Sequence, residues 1–227
     1  MKRKNLLLFV LFQLLLTSTC FSVESASRRG LKPVKFRLGI ASYAYRDKKL
    51  DDVILAAQKT NVKRLALKSM HLSLNSTDQQ IAQIKKKIQD AHLQAYAGAV
   101  IYMNSEKEVS HAFAYAQKAG FEIIVGVPKP ELMDFVEEKV KEYDIKVAIH
   151  IHGDRKNLYP DSESVYDVIK GRDKRMGICV DVGHTIRLNL DPAENIRKYA
   201  TAFWMFRFGI VRRQHIKAER FWPGTGY

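Results

Sequence analysis

Two stretches of this sequence place reactive groups inside otherwise apolar runs: "VAIHIH" (147–152) and "ICVDVGH" (178–184). The first carries His150 and His152, the second Asp181 and His184. A buried carboxylate is costly unless it has a partner, an ion or access to water. If both runs are strands and the strands pair, His150 and Asp181 stand near neighbouring strand ends, about 5 Å apart in backbone. A neutral imidazole and a carboxylate oxygen then suit a divalent ion such as zinc, manganese or cobalt. His152 follows His150 by two positions and shares its face, nearer the mouth. His184 is placed to donate to a hydroxyl or to serve as an acid/base group. The competing account has the histidines bonded to backbone carbonyls and Asp181 capping a turn.

The elements that must position these groups are legible from residue 36 onward. Strand candidates are 36–43, 64–69, 94–102, 121–127, 145–152 and 176–182, with starts separated by 24 to 31 residues. That spacing fits one strand plus one helix per unit in an α/β protein. Ser76 with Gln79, and Ser105 with Glu108, match the capping box. Asp191-Pro192 with Glu194 reads as a helix start, and Gly120 as a helix stop. Phe135, Val136, Val140 and Tyr143 recur at helical spacing, as on a helix lying against a sheet. No strand is followed by a G-x-G-x-x-G phosphate loop, which argues against a dinucleotide fold. Polar residues gather instead at strand C-terminal ends: Tyr43, Lys68 and His71, Tyr102, His150 and His152, Asp181 and His184. The unit spacing by itself fits either an open doubly wound sheet or a barrel; a (β/α)8 TIM barrel keeps its chemistry on that rim, and the barrel is the favoured fold.

Composition narrows the setting. The net charge is +14, but residues 1–29 and 201–227 each contribute +4, leaving +6 spread over the body. A dispersed excess of that size reads as solvated helix faces, so no nucleic-acid partner is expected. Residues 1–26 begin with Lys2, Arg3 and Lys4 and continue into an apolar core from Leu6 to Leu16. That core is too short for a comfortable bilayer span and reads as a signal peptide. The protein is therefore expected to be exported, periplasmic or extracellular, with Cys20 an alternative lipid-anchor site. Cys179 is then the one cysteine left in the mature chain, which forms no internal disulfide.

The motifs "VAIHIHGD" and "GICVDVGHT", preceded by "LGIASYAYR" and "LALKSMHL", resemble the xylose isomerase-like barrel superfamily, in its sugar phosphate isomerase/epimerase group. The resemblance runs through residues 36–200. It implies a metal-dependent sugar isomerase or epimerase that moves a proton next to a carbonyl, with a small-molecule sugar or keto-sugar as substrate. It implies a divalent ion (Mn, Zn, Co or Mg) held by Asp181 and by His150, which stands where the superfamily usually has glutamate. His184 corresponds to a substrate-contacting histidine, and His152 joins it as a catalytic candidate. Lys68 and His71 fall at a substrate-lining position, while Tyr43 and Tyr102 suit the apolar face of a sugar.

The pattern stops after Ala200. Eight units at the observed spacing need about 230 residues, close to the usual length of this fold. The chain therefore reads as an incomplete barrel of about six units, lacking its last two strands and two of the superfamily's four metal ligands. Residues 201–227 read as an out-of-frame tail. The codons of Phe203, Trp204, Met205 and Phe206, shifted by two bases, spell Leu-Asp-Val whatever synonymous codons are used. Leu-Asp-Val is what the superfamily's seventh strand would carry there. A non-catalytic relic or carbohydrate-binding fragment is the alternative function.

Overall fold

The computed structural model describes residues 36–208; the expected signal peptide over 1–26, the lipid-anchor candidate Cys20 and residues 209–227 lie outside that range. Seven parallel strands hydrogen-bond in chain order into one curled sheet, an incomplete TIM barrel. They are β1 (Ile40–Ala41), β2 (Arg64–Leu67), β3 (Gln94–Met103), β4 (Ile123–Pro128), β5 (Lys146–His150), β6 (Met176–Asp181) and β7 (Phe203–Arg207). The helices between them are α1 (Leu50–Lys59), α2 (Asp78–Asp90), α3 (Glu106–Ala119), α4 (Met133–Tyr143), α5 (Ser162–Ile169), α6 (Val182–Arg187) and α7 (Pro192–Lys198). No described helix is long and apolar enough to cross a membrane.

Alternation along each strand sorts side chains between two cores. Outward-facing Leu65, Leu67, Ile124, Val147, Ile149, Ile178 and Val180 pack with helix residues such as Val53, Phe113, Val136 and Val165. The inner face is lined by smaller groups, with Ala66, Ala97, Ala99, Val125, Ala148, Cys179 and Met205 forming a second cluster. His150 lies two positions beyond Ala148, and Asp181 two beyond Cys179. Strand parity thus brings both reactive groups onto the inner face, at its C-terminal end. Cys179 itself is fully buried and unpaired, and burial pushes its thiol up to about 12, so it stays neutral and inert.

Several local expectations shift by a residue or more. The first strand keeps only Ile40–Ala41 of the expected 36–43, because Ser42–Tyr45 turn into a 3-10 helix and Phe36 and Leu38 stay exposed. The capping box of α2 uses Thr77 and Gln80, not Ser76 and Gln79. Replacing Thr77 by Ala is expected to cost about 1 kcal/mol, read as a lower urea midpoint. Ser105 does cap α3, but the Glu108 carboxylate takes the Asn104 backbone N–H (2.8 Å) rather than that of Ser105. Asp191 and Pro192 start α7, and Gly120 ends α3 in the left-handed conformation, as expected. On α4 the buried positions are Met133, Val136 and Val140, with Phe135 and Tyr143 half-buried.

The largest departure is β7, formed by residues assigned at first sight to a tail. Phe203, Met205, Phe206 and Arg207 pair with β6 around a register shift at Trp204, Cys179 facing Met205 and Asp181 facing Arg207. The β6 edge offers unpaired backbone donors and acceptors, and the apolar run "FWMF" supplies a strand able to satisfy them. The sheet therefore has seven strands rather than six, and among the described residues no eighth strand joins β7 to β1.

Candidate metal centre

His150 ends β5 and is 4 % exposed, with Nδ1 buried and without a hydrogen-bond partner. Burial, followed by the nearby charges of Arg207, His152, His184 and Lys68, lowers its pKa to about 2. It is therefore a neutral imidazole with an unsatisfied buried nitrogen, the state in which histidine binds a metal ion. Asp181 ends β6 and is also buried. Its Oδ1 accepts the backbone N–H of His184 (3.2 Å), capping α6, and its carbonyl accepts from the Thr185 hydroxyl (3.0 Å). One carboxylate oxygen thus anchors the turn while Oδ2 remains for another partner. The two accounts of Asp181 are compatible: it caps and it faces the site.

His150, Asp181 and His184 each offer a ligand atom within 4.8 Å of the others. The three histidine rings form a tight group, with centroids 4.8 Å apart for His150–His152, 5.6 Å for His150–His184 and 5.9 Å for His152–His184. His152 and His184 are half-buried, and desolvation is the leading cause that lowers both pKa values, opposed by the Asp181 charge. The donor set of two or three neutral imidazoles and one carboxylate fits zinc or a related divalent ion.

The loop after β5 sets His152. Its backbone N–H donates to the Tyr159 carbonyl (2.9 Å), and the buried Tyr159 hydroxyl donates to the Pro128 carbonyl at the end of β4 (2.8 Å). His152 Nε2 lies 2.9 Å from the hydroxyl of Tyr102, which reaches from β3 across β4. Tyr102 therefore joins the site as a hydrogen-bond partner of His152 as well as an exposed aromatic face. Lys68 is half-buried, and its Nζ donates to the Val100 carbonyl (2.7 Å). Burial, then the charge of Arg207, lowers its pKa.

Two expected rim residues go elsewhere. His71 is buried with Nε2 3.1 Å from the Lys48 carbonyl, so it ties the segment after β2 to the loop before α1. Tyr43 is exposed and carries the Arg46 guanidinium over its ring at 5.4 Å. Neither makes a hydrogen bond or ring contact with the histidine group among the described residues.

Three residues escaped the sequence reading. Gly153 has φ +64°, and a Cβ there would lie 2.6 Å from the His184 carbonyl oxygen; its signal was a glycine directly after H-x-H. Arg187 places a guanidinium nitrogen 3.0 Å from His184 Nδ1, a contact its three-residue helical spacing announces. Arg207 faces Asp181 in register and shares the inner parity of Met205, and nothing in the sequence marked it.

The neutral histidines give the fold a pH dependence. The folded-state pKa of His150 lies below its ordinary 6.5, so below pH 6.5 the unfolded chain takes up a proton that the native state refuses. Stability is full above pH 6.5 and falls toward pH 2, by about 1.4 kcal/mol per pH unit from this group alone. His152 and His184 act in the same direction. Urea titrations at pH 7 and pH 5 check this: the midpoint drops for the parent and drops less for His150→Asn.

A curled parallel sheet with its reactive groups at the strand C-termini defines a TIM-barrel protein with a candidate metal centre at its mouth. Comparison with solved structures finds this fold again in TIM barrels of xylose isomerase-like type. An uncharacterized protein from Parabacteroides distasonis superposes with a TM-score of 0.65 at 24 % identity, over 75 % of this chain and 73 % of that one. The IOLI protein with a bound zinc atom gives 0.63 at 12 % identity, over 75 % and 72 %. The 3-keto-D-glucoside 4-epimerase YcjR from E. coli gives 0.61 at 11 % identity, over 76 % and 78 %. At these identities the likeness establishes the fold. No family model and no curated protein sequence matches the chain.

Proposed function

We propose that the chain is an exported sugar isomerase- or epimerase-like barrel whose mouth holds one divalent ion. The observation that carries this reading is the convergence of His150, Asp181, His152 and His184 on one inner rim. The zinc atom in the IOLI structure and the epimerase activity named for YcjR support it. When bound, the ion would supply Lewis-acid polarisation of a substrate carbonyl and its neighbouring hydroxyl. His150 and Asp181 would hold it. His152, neutral and half-buried, is the group to take a proton from the adjacent carbon, and Tyr102 keeps its ring in place. Lys68 lines the same rim with a positive charge suited to an oxygen-rich ligand.

Arg207 favours the second reading, a relic with impaired ion binding. Arg207 stands opposite Asp181 in the β6–β7 register and its positive charge is felt at His150 and Lys68, so a cation held by His150 and Asp181 would meet a like charge. β7 coincides with the codons that spell Leu-Asp-Val in the shifted frame, consistent with an open edge capturing whatever apolar strand follows. The test is elemental analysis of the purified 227-residue chain beside a version in which the frame after Ala200 is restored. A stoichiometric ion in both supports the enzyme; an ion in the restored chain alone makes this one the relic. An ion in neither sinks the metal-dependent reading. The nucleotide sequence at codon 200 tests the frameshift separately, since a downstream frame without two further strands removes it.

A further inference from the structure

The contact between Arg187 and His184 determines which nitrogen of His184 carries its proton. A guanidinium has donors and no acceptor, so at 3.0 Å it requires a lone pair on His184 Nδ1. A neutral imidazole with a bare Nδ1 carries its hydrogen on Nε2.

This excludes His184 from a metal at either nitrogen while Arg187 stays in place. Ligation through Nδ1 would displace the guanidinium. Ligation through Nε2 would need the hydrogen on Nδ1, where it would meet the N–H of Arg187 head on. His184 cannot easily move to escape. Its backbone N–H is held by Asp181 Oδ1 at 3.2 Å, and Gly153 packs against its Cα and carbonyl. Arg187 is exposed, one turn later on α6, and holds the ring from the solvent side.

We propose that Arg187 is a positioning residue that keeps His184 out of the ion's coordination shell and presents Nε2–H into the mouth as a hydrogen-bond donor. The inference rests on the metal-site reading above and assigns roles within it. His150 and Asp181 are the protein's ligands. His184 donates to an acceptor oxygen of the ligand, a carbonyl or an alkoxide. His152 is left as the proton acceptor, its Nε2–H donated to the Tyr102 hydroxyl and its Nδ1 carrying the lone pair, so the two outer histidines have opposite tasks. The ligand this arrangement recognises offers a carbonyl oxygen to His184 and an acidic C–H to His152, which describes a keto-sugar better than a closed glycoside.

The test uses the full chain with 15N-labelled histidine, free of metal, and long-range 1H–15N correlation spectra assigned with His184→Ala. The parent and Arg187→Lys are expected to show His184 protonated on Nε2 with Nδ1 bare. Arg187→Met is expected to lose that preference. Zn2+ titration against a chelating indicator then reads the second half. His184→Ala should leave the parent's affinity within about twofold, whereas Arg187→Met should bind about tenfold tighter and lose that gain in Arg187→Met/His184→Ala. A parent spectrum with the proton on Nδ1 overturns the proposal, and needs no variant to fold beyond the one used for assignment. So does a more than tenfold loss of Zn2+ affinity in His184→Ala alone. If Zn2+ binds to none of these chains, the metal-site reading fails, and the tautomer in the parent still decides the role of Arg187.

Discussion

Replacing Asp181 by Asn is expected to weaken divalent-ion binding by at least about a hundredfold while moving the thermal midpoint by no more than about 3 °C. The two effects separate because Asp181 does two jobs with different oxygens. Its Oδ1 caps α6 through the His184 N–H, and Asn caps as well as Asp. The charge and the second oxygen serve the ion, and Asn supplies neither an anion nor a second acceptor. The loss is larger than for an ordinary single ligand because Asp181 is the one carboxylate of the candidate cluster, with Arg207 facing it across β6 and β7. Removing it leaves imidazoles alone to hold a cation, with the positive charge of Arg207 felt at His150. Zn2+ titration with a competing indicator, beside a thermal melt, checks both halves. A variant that melts early would make Asp181 a structural residue first. One that binds Zn2+ as the parent does would remove it from the ligand set.

Replacing Gly153 by Ala is expected to disrupt the site more than any surface change of equal size. The backbone there has φ +64°, a region that costs an L-residue on the order of 1–2 kcal/mol. The added methyl would also lie 2.6 Å from the His184 carbonyl oxygen and 2.7 Å from its Cα. Those atoms belong to backbone, pinned by Asp181, and cannot swing aside as a side-chain tip would. The turn must shift, carrying His152 on one side and His184 on the other. The expected result is a loss of about 2–3 kcal/mol in urea unfolding together with weakened Zn2+ binding. Gly153→Asn is the informative companion, because Asn tolerates a left-handed backbone better but still brings a Cβ. If strain dominates, Asn recovers most of the loss; if the close approach dominates, it recovers little. An alanine variant matching the parent in both measurements would mean that the contact between the two loops is dispensable.

Much of this architecture is legible in the sequence, because it depends on short-range rules. Strand spacing of one βα unit, a glycine stop at Gly120 and the Asp191-Pro192 start each involve neighbours in sequence. The inward aim of His150 and Asp181 needs only strand parity, counted from Ala148 and Cys179. Where the reading slipped, competing local solutions were close in energy: Thr77 lies next to Ser76, and either residue type can cap. β7 is absent from the strand candidates for a related reason. Its residues lack the alternation of a designed strand, and the open β6 edge, a property of the assembled sheet, supplied the partner.

The sequence by itself determined the α/β order, the parallel barrel geometry and the inner placement of one imidazole and one carboxylate. Tertiary structure alone decided what each remaining polar group faces. His71 turned to the Lys48 carbonyl instead of the mouth, and Tyr102 reached His152 across an intervening strand. Arg187 claimed one nitrogen of His184, and Gly153 let two loops touch. The physical reason is one of range. Parity and capping are settled by bonds between neighbours along the chain, whereas the partner of a side chain at a strand end depends on loops that meet only after the sheet has curled.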